Sequence, residues 1–428
     1  MIKPTVLILG TCDTKLPELL YLRSQVLYHG QNGGIKVSLA DTGRTSISHP
    51  FIDIPQSAIL SYIPNGDGKV PPDLRTLPRS EVIKTMIVAT TSLVKDLYKS
   101  NSIHGIISIG GSGGTSLSAA VMRNALPVGF PKLIVSTMAS GDVSSFVGET
   151  DITMMHSVVD VAGLPSLLRF VLDNAAGAIV GMSLAYYSRR QSSTTGEKQK
   201  KRRVIAITMF GVTTPAVDAA VAYISSVAEN IEVLVFHATG SGGRAMERLI
   251  IEGRVDGVLD LTTTELADEL VGGVLTAGPD RLTAASKRGI PQVVSLGALD
   301  MVNFGPWNTV PKSFLERKLH EHNPSVTLLR TSPAECKILG TQIAEKLRTH
   351  TTDPSLVEVW IPKGGVSMLS VPGGDFADPE ADEALFSSLK DGLQGSRIKV
   401  IEDKRSINDE GFAVGMAKKL LKMMGVVS

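Results

Sequence analysis

The chain has 428 residues, of which 43% are hydrophobic and 20% charged, a composition typical of globular proteins that bury large cores. Its net charge of +1 excludes nucleic-acid binding driven by a basic surface, and its two cysteines exclude a disulfide-stabilised scaffold. We therefore expect two or three domains, a reducing cytoplasmic location and no nucleic-acid partner.

The first predicted element is a strand at residues 5–9, followed by the turn GTCDTK at residues 10–15 and by a helix. Asp13 or Thr14 can cap that helix, which is the simplest interpretation of the turn. The alternative is that the turn contacts a ligand, with Asp13 binding a magnesium ion and Lys15 a phosphate. The candidate binding residues of this turn are Thr11, Asp13, Thr14 and Lys15.

An acidic residue ends the second predicted strand. Residues 35–40 form this strand, and Asp41 follows directly. In nucleotide-binding α/β units an acid at this place commonly binds a ribose hydroxyl. The alternative is that Asp41 only begins a turn, and the sequence leaves both interpretations open.

A glycine-rich turn follows the buried strand predicted at residues 106–109, and a small-residue helix follows the turn. Glycines let backbone N–H groups approach an anion closely, and a helix N-terminus adds unpaired donors and a favourable dipole. Because no Gly-Lys-Ser/Thr follows, the turn is not a P-loop, and a tight turn without a ligand is the alternative. The candidate phosphate-binding residues are Gly110, Gly111, Ser112, Gly113, Gly114 and Thr115.

Small and hydroxylated residues also follow the next predicted strand, at residues 133–136. We add Thr137, Ser140 and Gly141 to the candidate site. Further along, residues 175–187 are strongly apolar, but about 13 residues are fewer than the roughly 20 that a membrane span needs. We therefore predict a buried helix there and no membrane partner. Residues 188–203 carry no apolar side chain and predict a linker between two domains.

A second series of strands and helices begins at residue 204. Strands that alternate with helices predict parallel sheets covered on both faces. The sequence thus predicts an α/β protein of two Rossmann-like doubly wound parallel-sheet subdomains, at residues 1–190 and 204–428. In such sheets ligands bind at the carboxyl ends of the strands, where the loops described above lie.

The second subdomain has loops that repeat the chemistry of the first. Residues 240–243 are again glycine-rich, residues 262–264 are three threonines, and Arg244 adds a positive charge. We hypothesise a second site there for a small anionic metabolite. The alternative is that the threonines are helix N-caps.

Taken together, these loops resemble one family. The matching segments are GTCDTK at 10–15, GGSGGT at 110–115, residues 136–164, TMFGVTTP at 208–215, FHATGSGGRAME at 236–247, DLTTTE at 260–265 and GALDMVNFG at 297–305. They are similar to the ATP-binding N-terminal domain of the tomato-type tobamovirus resistance proteins, inhibitors of viral RNA replication with bacterial and fungal homologues. The resemblance implies two α/β subdomains, ATP bound by the first, and self-association as a homodimer.

The predicted function is accordingly that of an ATP-binding protein. Two other classes stay open: an ATP-dependent enzyme acting on a small anionic substrate bound between the subdomains, and a protein-interaction module with a structural nucleotide. The sequence contains no H-E-x-x-H motif, and no single motif in it specifies a reaction or a metal centre of the protein's own.

Overall fold

The computed structural model of the protein describes residues 3–31, 34–63, 73–195 and 202–427. The chain divides into two compact units, Met1–Gln199 and Lys200–Ser428, and each is described by itself. The division falls between the two predicted subdomain ranges. Part of the predicted linker, residues 196–201, lies outside the described residues.

The first unit alternates strands and helices along the chain. Its strands are β1 (Thr5–Gly10), β2 (Lys36–Asp41), β3 (Gly105–Gly110), β4 (Lys132–Ser136) and β5 (Thr153–His156). Its helices are α1 (Cys12–His29), α2 (Gln56–Leu60), α3 (Arg79–Lys99), α4 (Ser112–Ala125), α5 (Ser144–Val147) and α6 (Ser166–Thr195), with short 3₁₀ turns at Leu74–Thr76 and Thr137–Ser140.

The five strands form one parallel sheet in the order β2-β1-β3-β4-β5. Strand order reverses between β1 and β3, because β2 lies on one side of β1 and the later strands lie on the other. Such a reversal opens a crevice at the carboxyl ends of the two strands, and ligands of open α/β sheets bind there. The sheet therefore directs attention to the loops after β1 and β3.

Helices bury both faces of this sheet. Successive strand residues point to opposite sides, so each strand contributes side chains to two cores. Leu7 and Leu9 of β1 pack with α3 and α4 in one core. Val6 and Ile8 pack in a second core on the other face, which contains Leu172 of α6. The doubly covered sheet confirms the fold class predicted for this half of the chain.

Helix α6 is longer than the sequence led us to expect. It runs from Ser166 to Thr195, so residues 188–195 are helical and the prediction of a linker there was wrong. By length and composition alone, Ser166–Ser192 is long and apolar enough to cross a membrane. Its inner face, however, is buried against the sheet through Leu168, Leu172 and Ile179, as expected for a core helix.

The second unit has more elements. Its strands are β6 (Arg203–Met209), β7 (Ile231–His237), β8 (Gly257–Thr262), β9 (Gln292–Gly297), β10 (Met301–Phe304), β11 (Leu319–Asn323), β12 (Val326–Arg330), β13 (Val357–Pro362) and β14 (Lys399–Asp403). Its helices are α7 (Thr214–Val227), α8 (Ser241–Ile251), α9 (Glu265–Val271), α10 (Ala284–Arg288), α11 (Pro333–His350), α12 (Pro379–Leu393) and α13 (Glu410–Met423).

Six of these strands form a parallel sheet in the order β14-β13-β9-β8-β6-β7. As in the first unit, the first strand of the unit lies between the second and the third, so the order reverses between β6 and β8. The remaining strands form a separate antiparallel sheet, β10-β12-β11. The sequence predicted parallel sheets alone, so this antiparallel sheet is an addition to the predicted architecture.

Candidate functional site

A cavity of about 470 Å³ lies in the first unit at the point where its strand order reverses. The loops that follow β1 and β3 both contribute to it, together with the first turns of α3 and α4. It is lined by Thr11, Asp13, Thr14, Lys15, Thr42, Arg44, Arg79, Val82, Ile83, Gly110, Gly111, Ser112, Gly113, Gly114, Leu117 and Asp160. The volume falls within the range of small-molecule binding sites.

The N-terminus of α4 presents backbone donors to this cavity. Its N-cap residue is Gly111, and no side chain caps the helix. The N–H groups of the first helical residues, Ser112, Gly113 and Gly114, consequently have no intrahelical acceptor. A Cβ on Gly110 would lie 3.3 Å from Cα of Gly114, so strand and helix meet closely here. Such an uncapped turn suits an anion.

The turn after β1 lines the same cavity as these donors. The hydroxyls of Thr11 and Thr14 are 2.9 Å apart, and Lys15 leaves the helical conformation with φ −131° and ψ 20°. This kink separates the turn from the regular part of α1. The Lys15 side chain makes no hydrogen bond or ion pair with the part of the chain that the structure describes.

The two carboxylate oxygens of Asp13 differ, because one accepts hydrogen bonds from a neighbouring loop and the other has no partner among the described residues. Its Oδ2 accepts the backbone N–H groups of Arg44 at 2.9 Å and Thr45 at 3.0 Å. Its Oδ1 is buried and has no hydrogen-bond partner among the described residues. Asp13 thereby joins the loop after β1 to the loop after β2, and does not cap α1.

The structure corrects two of the predicted binding residues. Thr115 is fully buried, its hydroxyl lies 2.6 Å from that of Ser136, and its N–H donates to Gly111 O. Asp41 is also fully buried, and its Oδ1 accepts the N–H groups of Cys12 at 3.1 Å and Gly43 at 2.9 Å. Neither side chain lines the cavity, so both are placed to stabilise the loops.

The environment of Asp41 agrees with an internal role. Burial raises the pKa of Asp41 above its ordinary value, although the N–H groups of Gly43 and Cys12 act in the opposite direction. Burial also raises the pKa of the Cys12 thiol well above its ordinary range. This segment of the loop therefore offers neither an exposed carboxylate for ribose nor a reactive thiolate.

The loop after β4 lies outside the lining of the cavity. Thr137, Ser140 and Gly141 follow β4 as predicted, with Ser140 and Gly141 exposed to solvent. Thr137 is the nearest of the three to the glycine turn, since a Cβ on Gly111 would lie 3.8 Å from its hydroxyl. Of this group, only Thr137 borders the candidate site.

Residues that the sequence did not single out complete the cavity. Arg79, Val82 and Ile83 belong to the first turns of α3, and Leu117 extends the apolar wall from α4. A helix that leads into a strand of a parallel sheet begins at the carboxyl edge of that sheet. The position of α3 before β3 was therefore a signal that its first turn reaches the site.

The glycine-rich loop of the second unit is filled by a carboxylate of its own unit. Oε1 of Glu265 accepts the backbone N–H groups of Gly240 at 2.7 Å and Gly243 at 3.0 Å. Arg244, which we expected to bind the same anion, donates instead to the carbonyl of Thr276 at 2.8 Å. Glu265 therefore lies where the sequence led us to expect a small anionic metabolite.

A buried charge cluster fixes Glu265 in place. Arg281, which the sequence analysis missed, is 2.6 Å from both Glu265 and Asp260 and 3.3 Å from Glu247. Burial raises the pKa of Glu247, and the positive charge of Arg281 opposes that shift. All four side chains are buried, and Arg281 is the counter-charge that the three carboxyl groups share.

The threonines of the second unit are also used internally. The hydroxyls of Thr213 and Thr262 are 2.8 Å apart, and the Thr263 hydroxyl donates to the carbonyl of Ser295 at 3.1 Å. These bonds join neighbouring strand ends and do not cap a helix. Thr262 and Thr263 therefore belong to an internal network, whereas Thr264 occupies the N-cap position of α9 and its buried hydroxyl has no hydrogen-bond partner among the described residues.

Two family descriptions match the chain. Residues 4–188 match the N-terminal domain of the uncharacterised protein family UPF0261, and residues 202–424 match its C-terminal domain. A UPF0261 protein of Clostridium tetani is 45% identical over 98% of both chains. The resemblance drawn from the loop motifs is confirmed by these matches and by the tomato relatives.

In tomato, Solanum lycopersicum, the ToMV susceptible protein tm-1(GCR26) and the ToMV resistance protein Tm-1(GCR237) are each 40% identical to the chain. Both alignments cover 98% of this chain and 56% of the tomato protein. The chain therefore spans a little over half the length of these two relatives.

Solved structures give a much weaker likeness. UDP-N-acetylglucosamine 2-epimerase from Rickettsia bellii is 8% identical over 68% of this chain and 79% of that chain, with a TM-score of 0.21. MurG of Acinetobacter baumannii is 8% identical over 98% of this chain and 99% of the MurG chain, with a TM-score of 0.21. Scores of this size support no conclusion about the present chain.

Proposed function

This chain belongs to the UPF0261 family, and on that premise we propose that its first unit binds ATP in the cavity at the ends of β1 and β3. The observation that carries the proposal is the uncapped N-terminus of α4, which lines that cavity together with Lys15 and Arg79. Backbone donors, a helix dipole and two cations with no ion-pair partner among the described residues are the chemistry that binds phosphate groups.

The phosphates would lie against the first turn of α4. Ser112, Gly113 and Gly114 supply N–H groups there, and glycines leave room for close approach. Lys15 supplies a charge from the opposite loop. The second unit supports this geometry by analogy, since its own GSGG turn binds a carboxylate oxygen through the N–H groups of Gly240 and Gly243.

The nucleoside would lie along the apolar wall. Val82, Ile83 and Leu117 form a surface beside the glycine turn that suits the face of a purine base. With Asp41 turned inward, hydroxyls at the cavity such as those of Thr11 and Thr14 are better placed to contact the sugar or the phosphates. The lining of the cavity therefore combines polar groups with apolar side chains.

Asp13 is the residue that would hold magnesium. Mg²⁺ commonly takes one or two carboxylate oxygens and completes its shell with phosphate oxygens and water. The unpaired Oδ1 of Asp13 fits that requirement, whereas the described residues contain no cluster of three or more acidic, histidine or cysteine side chains that could hold a metal alone. When bound, the ion would neutralise part of the phosphate charge.

Isothermal calorimetry with purified protein tests the proposal. We expect ATP to bind with and without magnesium, and NAD to bind weakly or not at all. Binding of NAD with no response to ATP would overturn the assignment. Release of inorganic phosphate in the same samples distinguishes an enzyme that turns ATP over from a protein that only holds it.

A further inference from the structure

The guanidinium of Arg79 lies directly over the first turn of α4. A Cβ built on Gly113 would be 2.9 Å from Nη2 of Arg79, so almost no space separates the two groups. Arg79 is exposed and makes no hydrogen bond or ion pair with residues 3–31, 34–63, 73–195 or 202–427. A positive side chain is thus held beside backbone N–H groups without a carboxylate between them.

This placement is electrostatically unfavourable on two counts. Arg79 is the first residue of α3, whose N-terminus carries a partial positive charge, and it also faces the N-terminus of α4. Cations are favoured at the opposite ends of helices. Local conflicts of this kind are expected at functional sites. An anion bound between the guanidinium and the N–H groups of α4 would remove both conflicts at once.

Arg44 holds the segment that leads into α3. Its guanidinium donates to the carbonyls of Leu74 at 3.1 Å, Arg75 at 2.7 Å and Leu77 at 2.7 Å. Its backbone N–H is held by Asp13, in the turn after β1. The chain of contacts from Asp13 through Arg44 fixes where α3 begins, and hence where Arg79 stands relative to Gly113.

We propose that Arg79 is the residue that makes this site select phosphorylated ligands, by clamping a phosphate group against the N–H groups of α4, and that Arg44 positions it. The inference rests on the proposed function for its nucleotide, but the clamp itself requires only a phosphate. A guanidinium offers two parallel donors that match two phosphate oxygens, which an ammonium cannot do. Arg79 therefore determines affinity for the phosphates and contributes nothing to recognition of the base.

The test measures binding of ATP, adenosine and tripolyphosphate to the full chain by calorimetry. We expect Arg79→Ala to lower the affinity for ATP and for tripolyphosphate by about 10- to 100-fold, and to leave the affinity for adenosine unchanged. Arg79→Lys should restore part of the loss. The control is Arg405→Ala in the second unit, which removes an exposed side chain paired with Asp403 and should change none of the affinities.

The positioning role of Arg44 has its own readout. If Arg44 acts through Arg79, Arg44→Ala weakens ATP binding, and the double variant Arg44→Ala/Arg79→Ala binds no more weakly than Arg79→Ala alone. Additive losses would overturn that role. Equal losses for ATP and adenosine in Arg79→Ala, or no loss at all, would overturn the clamp.

Failure of the clamp and failure of the nucleotide assignment give different results. If the wild-type chain binds tripolyphosphate through Arg79 but not ATP, the nucleotide proposal is overturned and the clamp is supported. If it binds ATP with the same affinity after Arg79→Ala, the clamp is overturned and the nucleotide proposal is supported. If it binds neither ligand, both are overturned.

Discussion

Glu265 accepts the backbone N–H of Gly240 at 2.7 Å, so the glycine-rich turn of the second unit carries its own counter-anion. The same carboxylate is 2.6 Å from the buried guanidinium of Arg281. A single side chain thereby accepts hydrogen bonds from the N-terminus of α8 and forms an ion pair with a buried guanidinium. Its removal leaves the N–H groups of Gly240 and Gly243 without an acceptor and takes from Arg281 one of its three carboxylate partners, which gives the first prediction.

We expect Glu265→Ala to lower the free energy of unfolding by about 3–5 kcal/mol, the usual cost of breaking a buried ion pair by removing one partner. Chemical denaturation measures the loss. Formate, small enough to enter the vacated space, should recover part of it, and chloride at equal ionic strength should recover less. The exposed Glu269→Ala in the same helix is the control. A loss below 1 kcal/mol would contradict the role assigned to Glu265.

Gly113→Val should abolish ATP binding in a folded protein. The branched side chain would enter the space above the first turn of α4, and we expect at least a 10-fold loss of affinity, since hydrogen bonds to charged groups are lost. The fold should persist, because the nearest atoms are the ends of two flexible side chains, Arg79 and Ile83. Gly113 does not have a left-handed φ, so the expected effect is blockage and not backbone strain.

The matched control for this variant is Gly211→Val in the second unit. A Cβ on Gly211 meets no heavy atom within 4 Å, and its φ is not left-handed either. Calorimetry should detect normal ATP binding in the control. Wild-type affinity in folded Gly113→Val would show that phosphates do not lie against this turn.

A nucleotide analogue separates the two roles considered for Asp41. If Asp41 bound a ribose hydroxyl, Asp41→Asn would remove a preference for ATP over 2′-deoxy-ATP. We expect instead that the ratio of the two affinities is unchanged, because the carboxylate is buried and accepts the N–H groups of Cys12 and Gly43. The variant should lose about 1–3 kcal/mol of stability. A changed ratio at unchanged stability would restore the ribose role.

Asp300 should make stability depend on pH. It is fully buried after β9, its Oδ2 accepts the Ser367 hydroxyl at 2.7 Å, and burial raises its pKa from 3.8 to about 6. The folded state therefore retains a proton that the unfolded state releases between these two values. Protonated Asp300 therefore contributes to the free energy of unfolding. This contribution is complete below pH 3.8, falls as the pH rises towards 6, and is absent above pH 6.

The measurement compares wild type with Asp300→Asn by chemical denaturation between pH 4.5 and 7. The difference in unfolding free energy, wild type minus variant, should fall by about 2 kcal/mol over this interval. Asp218→Asn, which changes an exposed carboxylate, should show no such trend. A difference that stays constant with pH would mean that Asp300 is ionised in the folded protein throughout.

Local sequence patterns predicted which loops meet, because the carboxyl ends of parallel strands share one edge of a sheet. The turns at residues 10–15 and 110–114 indeed line one cavity. The patterns did not reveal which way a side chain turns. Asp41 follows its strand as a ribose-binding acid would, yet two N–H groups of neighbouring loops hold it inward.

Contacts between distant segments were beyond the reach of these patterns. Nothing near residues 240–243 indicates that Glu265, more than 20 residues further on, returns to bind that turn. The antiparallel sheet was missed for a related reason. Strand β11 has the sequence LHEHN, which lacks the apolar alternation that predicts a strand, and its pairing with β12 defines it.

The glycine-rich turn of the second unit binds the carboxylate of Glu265, whereas no side chain caps the turn before α4. This difference bears on how the stability of each unit depends on ligand concentration. A turn that contains its own carboxylate has the same stability at every metabolite concentration. A turn completed by a ligand gains stability as RT ln(1 + [L]/Kd), about 2.7 kcal/mol at a ligand concentration of 100 Kd. If the first unit binds ATP as proposed, loss of ATP would lower the stability of the first unit and leave the turn of the second unit unaffected, so ATP should slow proteolysis of the first unit alone.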